Sequence, residues 1–207
     1  MTHFDDVQQT GDWFQARLGK LTASSMAAAI DFLKSGKESQ KRIDLKIAIL
    51  AERMTDQLRE NFVTPAMQWG IEKEPLAKAA YVAHTECQII PAPFFEHMRI
   101  ENFGASPDGL IDPDGLLECK CPTTQKFIAW MLAGVVPEEH KPQMLAQLAC
   151  TGRKWVEFVA FDPRMPEGKR LFIRRYEPTA DEIKAIEVAA EKFLEEVDAM
   201  FDQVCSA

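Results

Sequence analysis

The chain reads as an α/β protein, a mixed β-sheet flanked by helices. Three observations point there: runs with apolar residues at helical spacing toward both ends, a group of short β-type runs in the middle that closes in a hairpin, and a second strand pair just before the last helix. With 207 residues, 46% hydrophobic and 27% charged, the chain is long enough to bury a proper core as one domain, 1–207, without a linker.

Taken in order, Thr22-Ala23-Ser24-Ser25 ahead of Met26-Ala27-Ala28-Ala29-Ile30 predicts an N-capped helix ending near Lys34-Ser35-Gly36-Lys37, a stretch expected to be a mobile loop. A second helix is expected over 38–58, with Ile43, Ile47, Leu50, Ala51 and Met54 at helical spacing. Thr64-Pro65 opens a third, Pro65 taking the first-turn position it tolerates best; it runs to about residue 84 and carries Trp69, Glu72, Glu74, Leu76 and Tyr81. β-type sequence begins at Gln88-Ile89-Ile90 and continues from Phe94 to Phe103. The apolar pieces around Asp112-Pro113-Asp114-Gly115 then fold back as a hairpin, Pro113 presetting φ and Gly115 accepting a positive φ. Helix returns over 124–132, with Phe127, Ile128 and Met131 as its apolar face, and again over 138–150. Strands are expected at 155–161 and 170–176, with a turn at 162–168 between them. An amphipathic helix over 179–204 buries Ile183, Ile186, Ala190, Phe193, Val197 and Phe201. The domain thus divides into a helical part (1–60), a core holding the hairpin (61–162), and a strand with an acidic helix (163–207).

Composition excludes several classes. No run approaches the ~18 apolar residues that span a bilayer. The N-terminus lacks the basic and apolar regions of a secretory signal, so a cytoplasmic protein is expected. Cys87, Cys119, Cys121, Cys150 and Cys205 are odd in number and scattered, unlike a disulfide framework, a zinc site or an iron–sulfur cluster. A net charge of −8 runs against a nucleic-acid partner, but nine acids against two lysines between Glu177 and Ala207 account for most of it. Two basic sets remain, Arg17 with Lys20 and Lys34-Lys37-Lys41-Arg42, enough to line a channel while the acidic segment faces outward.

The chemistry concentrates in Ser106-Pro107-Asp108-Gly109 and Leu117-Glu118-Cys119-Lys120. Alternate side chains share a strand face, so Glu118 and Lys120 point one way and Cys119 the other. The hairpin carries Asp108 toward Glu118, giving two carboxylates that can share hard divalent cations and a lysine that can orient or deprotonate a water. That combination is suited to metal-dependent phosphodiester cleavage. Either motif alone is ordinary turn or surface chemistry; their joining by a short hairpin, below a helix bearing further acids, gives them meaning. Glu72 and Glu74 face away from each other on that helix, and spacing alone does not choose between them.

With these residues in place, the chain resembles the lambda-exonuclease, or YqaJ-type viral recombinase, branch of the PD-(D/E)xK nuclease superfamily. The resemblance rests on four ordered motifs: Trp13 to Ser24, Trp69-Gly70 through Glu74, Ser106 to Pro122, and Gln143 to Thr151. It implies a restriction-endonuclease-like core in which Asp108, Glu118 and Lys120 are the catalytic triad and Glu74, rather than Glu72, is the helix-borne acid. It further implies two Mg²⁺ ions, replaceable by Mn²⁺, on Asp108, Glu118 and the Cys119 backbone carbonyl, with Glu74 contributing indirectly. Burial and neighbouring cations would depress the Lys120 pKa. Gln143 resembles the residue that holds Lys120 and the scissile region, with Gln147 one turn later. Arg17, Ser24 and Ser106 resemble a terminal 5′-phosphate pocket bordered by Thr22. Met67 stands where the family places an apolar wedge, although a helical Met is also ordinary core. Lys34 resembles a basic residue reaching toward the duplex groove, although a solvated loop lysine would look the same. The implied activity is a 5′-to-3′ exonuclease on linear double-stranded DNA that releases 5′-mononucleotides and leaves 3′ overhangs. A homotrimeric ring, a phage-type single-strand annealing partner, no membrane association, and a bacterial or prophage origin are implied with it. Another nuclease of this superfamily, or an inactive DNA-binding scaffold, is the alternative.

Overall fold

A computed structural model describes residues 10–58 and 64–206. Helix α1 (Gly11–Arg17) leads into the two-residue strand β1 (Leu21–Thr22), a 3-10 turn (Ala23–Ser25) and a short α2 (Met26–Ala29). The Thr22-to-Ile30 stretch is therefore not one N-capped helix. Thr22 and Ser25 make no side-chain cap, and Leu21–Thr22 is drawn into a sheet beside Phe103–Gly104. α1 is not among the helices expected above, although Thr10 caps it by accepting from the Trp13 backbone N–H and Asp12 sits in its first turn. The Lys34–Lys37 stretch is a closed turn, with Leu33 N–H donating to the Lys37 carbonyl and Phe32 bridged to Glu38.

Next come α3 (Gln40–Thr55) and α4 (Pro65–Thr85), then β2 (Phe95–Glu96), β3 (Phe103–Ala105), and the hairpin of β4 (Gly109–Ile111) and β5 (Gly115–Lys120). α5 (Thr124–Ala133), a 3-10 turn (Glu138–His140), α6 (Lys141–Thr151), β6 (Trp155–Phe161), β7 (Leu171–Tyr176) and α7 (Ala180–Cys205) complete the order. Two sheets result. In one, β3 lies between β1 and β2; in the other the order is β4-β5-β6-β7. β5 and β6 are parallel while the flanking pairs are antiparallel, so the sheet is mixed, as expected.

One face of this sheet packs Leu116, Val156, Phe158 and Phe172 against Phe127, Trp130, Met144 and Leu148 of α5 and α6. Its other face packs Leu117, Cys119, Val159 and Phe161 under Ala77 and Tyr81 of α4. A third cluster joins the small sheet to α2, α3, α6 and α7. The C-terminal helix buries Ile186, Ala190, Phe193, Leu194 and Val197, close to the expected stripe, and Thr179 with Glu182 closes a capping box at its start.

Several expectations are corrected. α3 turns Arg42, Leu45, Lys46, Ile49 and Glu52 inward and leaves Ile43, Ile47, Ala51 and Met54 exposed; only Leu50 of the expected stripe is buried. The helix carries a second apolar side, Leu45 and Ile49, which enters the core, and beside it Glu196 of α7 accepts from Arg42 at 2.6 and 3.1 Å and from Lys46 at 3.1 Å. Arg42 is thus spent inside the fold, Lys20 pairs with Glu96, and neither lines a channel. The acidic helix does not simply face outward either, since Glu187 is buried against His97 and Arg99. In α5 the second buried residue is Trp130, while Ile128 is exposed. Gly115 does not adopt a positive φ. A Cβ there would lie 2.1 Å from the Trp155 ring, so glycine is required by close packing across β5 and β6.

Candidate active site

The parallel register of β5 and β6 sets Glu118 beside Phe158 and Lys120 beside Ala160. Strand alternation then sends Glu118 and Lys120 to the α6 side of the sheet, and Leu117 and Cys119 to the α4 side. The two catalytic candidates form an ion pair with each other. Behind them, α6 supplies one glutamine per turn: Lys120 Nζ donates to Gln143 Oε1 at 3.3 Å, and Gln147 Nε2 donates to Glu118 Oε2 at 2.5 Å. Gln147 is fully buried and stands behind Glu118 rather than in the cavity.

Asp108 stands immediately before the other hairpin strand, β4. Its backbone N–H donates to the Leu117 carbonyl at 3.1 Å, and its Oδ2 accepts the Cys119 N–H at 2.6 Å. Burial, then the neighbouring Glu118 and Glu74 charges, raise the Asp108 pKa well above the usual carboxylate range. Lys120 departs from the sequence expectation. Burial works to lower its pKa, but the charges of Glu118 and Asp108 outweigh burial and raise it, so its ammonium is stabilised. Burial, then Asp108 and Glu74, pushes the Cys119 thiol well up, and burial with the same acids carries Cys121 to about 11; neither is a thiolate nucleophile.

Glu74 comes from α4 and lines the same cavity, whereas Glu72 is exposed and accepts from Gln68. The Glu74 carboxylate pairs with Lys78 at 2.7 Å. Among the described residues no group of three or more His, Cys, Asp and Glu side chains is gathered as a metal cage. Two carboxylates suffice for Mg²⁺, which keeps several waters and takes further ligands from a substrate phosphate. The donor set fits such an ion: both carboxylates present oxygen to the cavity, and the buried Glu118 Oε1 meets the Lys120 ammonium there.

The cavity, about 580 Å³, extends from these residues to Trp13, Arg17, Ser24, Met67 and Ser106. Arg17 donates to Ser106 Oγ at 3.3 Å and reaches Thr22 and Ser24 hydroxyls at 3.5 Å. The Trp13 indole N–H donates to Ser106 Oγ at 2.9 Å, and the Arg17 guanidinium lies 4.2 Å from the Trp13 ring centre. Ser106 therefore accepts twice, which leaves its proton to donate. Lys34 stands outside the cavity, exposed on the Leu33–Lys37 turn. Met67 is on the rim, 52% exposed, and is not core. Trp13, Lys126, Trp130 and His140 also line the cavity without having been singled out; only Trp13 carried a signal, as the first residue of the opening motif.

A mixed sheet flanked by helices, with an acid just before the first hairpin strand, a second acid on the other strand and a lysine two residues after that, defines the PD-(D/E)xK nuclease fold class. The chain belongs to the YqaJ-like viral recombinase domain family, whose model matches residues 12–154. Comparison with curated proteins returned no match. Among solved structures, the chain is 36% identical to an alkaline exonuclease (LHK-Exo) from Laribacter hongkongensis, covering 95% of this chain and 97% of that one with a TM-score of 0.87. A structure of LHK-Exo in complex with dAMP matches equally, with 36% identity, 94% and 96% coverage and a TM-score of 0.87. A phage-related exonuclease from Haemophilus somnus shares the fold at 16% identity, 90% and 95% coverage and a TM-score of 0.61.

Proposed function

We propose that the chain is a Mg²⁺-dependent 5′-to-3′ exonuclease on linear double-stranded DNA, releasing 5′-mononucleotides and leaving a 3′ single strand for recombination by annealing. The observation that carries this reading is one cavity in which Arg17, Ser24 and Ser106 face the Asp108, Glu118 and Lys120 set. A phosphate-binding group beside a cleavage group is what removal of one terminal nucleotide at a time requires. The 36% identity to an alkaline exonuclease, and that enzyme's structure with dAMP, support a mononucleotide product.

Divalent cations, when bound, would stabilise the attacking and leaving oxygens of an in-line displacement. Asp108, Glu118 and the Cys119 carbonyl would hold them, with Glu74 acting indirectly. Arg17, with the hydroxyls of Ser24, Ser106 and Thr22, would grip the terminal 5′-phosphate through charge-assisted bonds. Lys120, fixed between Glu118 and Gln143, would orient the attacking water by donating to it. Its pKa would fall toward proton transfer only when the adjoining carboxylates are neutralised. Gln147 would hold the Glu118 carboxylate, Met67 would part the strands at the rim, and Lys34 would reach the duplex from outside the cavity. A homotrimeric ring and a phage-type annealing protein are the assembly and partner this reading carries. No helix among the described residues is long and apolar enough to cross a membrane.

The test is digestion of end-labelled linear duplex, with and without a 5′-phosphate and Mg²⁺, beside a circular control. Mg²⁺-dependent loss of nucleotides from the phosphorylated 5′ end with intact circles is expected. Cutting of the circle would instead assign an endonuclease.

A further inference from the structure

Lys78 lies one helical turn beyond Glu74 on α4, and its ammonium is 2.7 Å from the Glu74 carboxylate. A Glu–Lys pair at this spacing is common on exposed helices, where it contributes little. Here both partners are only 30% exposed. Lys78 also lines a second cavity, about 570 Å³, whose wall includes Asp108 along with Val82, Ile89 and Pro91. Asp108 thus borders the catalytic cavity on one side and the Lys78 cavity on the other. Glu74, Asp108 and Glu118 all line the catalytic cavity; Lys120 pairs with Glu118 from the α6 side, and Lys78 pairs with Glu74 from the α4 side.

We propose that Lys78 is a positioning residue for the cleavage reaction. It acts through Glu74, holding that carboxylate at the edge of the metal site and offsetting its charge, so that Glu74 helps order the site without binding the cation directly. The inference rests on the metal-dependent reading above. A fixed ammonium close to a dication repels it, so removing the ammonium strengthens cation binding. Freeing Glu74 at the same time lets it swing onto the cation and lose its ordering role. The two effects have opposite signs, tighter binding with slower turnover, which loss of a merely structural contact does not produce.

The experiment measures Mn²⁺ binding to the DNA-free protein by calorimetry, and kcat on 5′-phosphorylated linear duplex at saturating metal, for wild type, Lys78→Met, Lys78→Gln, Lys78→Arg, Glu74→Gln, Lys78→Met/Glu74→Gln and Glu118→Gln. Folding of each variant is checked by circular dichroism. Lys78→Met and Lys78→Gln should bind Mn²⁺ about tenfold more tightly and turn over at least about tenfold more slowly. Lys78→Arg should restore both, and Lys78→Met should cost no further kcat in the Glu74→Gln background. Unchanged or weaker Mn²⁺ binding in the folded Lys78 variants, or an equal kcat loss in the Glu74→Gln background, would overturn the proposal. If wild type and Glu118→Gln bind Mn²⁺ alike, the metal-site reading itself fails and the role of Lys78 falls with it. If only Glu118→Gln loses binding and Lys78→Met matches wild type, the role of Lys78 alone is refuted.

Discussion

At Ser106 the proposed phosphate pocket is already tied together by hydrogen bonds. Two donors, Trp13 and Arg17, occupy its hydroxyl oxygen at 2.9 and 3.3 Å, which leaves the hydroxyl proton to donate to another group. Arg17→Ala should erase the preference for 5′-phosphorylated over 5′-hydroxyl ends, measured as the ratio of the two cleavage rates. Trp13→Phe keeps the aromatic face under Arg17 but removes the N–H, and should lower that ratio by about fivefold, the worth of one hydrogen bond; an unchanged ratio with uniformly slower cleavage would place Trp13 outside the pocket. At the other end of the cavity, Glu118→Gln or Asp108→Asn should abolish cleavage while a filter-binding assay still detects duplex ends, because each removes a charge that holds cations and leaves the Arg17 side intact. Near-normal turnover in either variant would displace the proposed site. These residues were legible because strand alternation is a local rule: once 115–120 is a strand, the shared side of Glu118 and Lys120 follows. The raised pKa of Lys120 was not legible, since it depends on how closely the fold presses Asp108 and Glu118 against it.

At the scale of elements, the stops and starts read well where a cap or a turn announces them. Thr64-Pro65, Thr123-Thr124 and Thr179 each open a helix at the expected place. What failed was the choice of buried face on α3, where two apolar sides compete, Ile43, Ile47 and Met54 against Leu45, Ile49 and Leu50, and the fold buries the second, with Arg42 and Lys46 paired to Glu196 beside it. Ion pairs across 150 residues leave no trace in a local window. Two long-range devices brace the elements around the site. Asp162, at the end of β6, is fully buried and accepts from Thr124 at 2.6 Å and from Arg164 Nε at 2.7 Å, while Arg164 donates to the Pro122 carbonyl at 3.0 Å. The segment after Lys120 is thereby tied down. Asp162→Ala should cost roughly 2–3 kcal/mol in urea unfolding; a loss well below 1 kcal/mol would show the brace to be dispensable. His140 packs its ring on Phe158, centroids 5.3 Å apart, with Trp130 edge-on at 5.3 Å. Burial, then Lys120, pushes its pKa down to about 4 from an ordinary 6.5. Well above pH 6.5 His140 is neutral in both states and contributes no slope. As the pH falls from 6.5 toward 4, the unfolded chain takes up a proton that the folded chain refuses, so stability is lost across that window. His140→Phe should lose less stability than wild type between about pH 7 and about pH 4, read from urea midpoints. Parallel profiles would mean that His140 protonates freely in the folded protein.

For the whole molecule, charge poses the question. On the proposed reading, a chain of net charge −8 has to stay on a polyanion through successive cuts without a broadly basic surface, and the structure withdraws two of the cations expected to provide one. Arg42 is 2% exposed and tied to Glu38 and Glu196, and Lys20 is tied to Glu96. On that reading the cations placed to meet phosphate are Arg17 and Lys120 in the cavity and Lys34 outside it, and with so few, retention between cuts would have to come from other means. A closed ring around the duplex provides it through topology, and cyclic symmetry of identical subunits is the common way to close one. Light scattering after size exclusion should accordingly report about three times the 23.4 kDa chain mass. Cleavage of a labelled duplex should continue after excess unlabelled duplex is added, with only a shallow dependence on salt, because a ring that encircles its substrate is not held by counterion release. A monomer that leaves the duplex after each cut, with a rate that collapses as salt rises, would refute the ring and show that the cavity's own cations do the holding; the Asp108, Glu118 and Lys120 assignment would stand apart from that outcome.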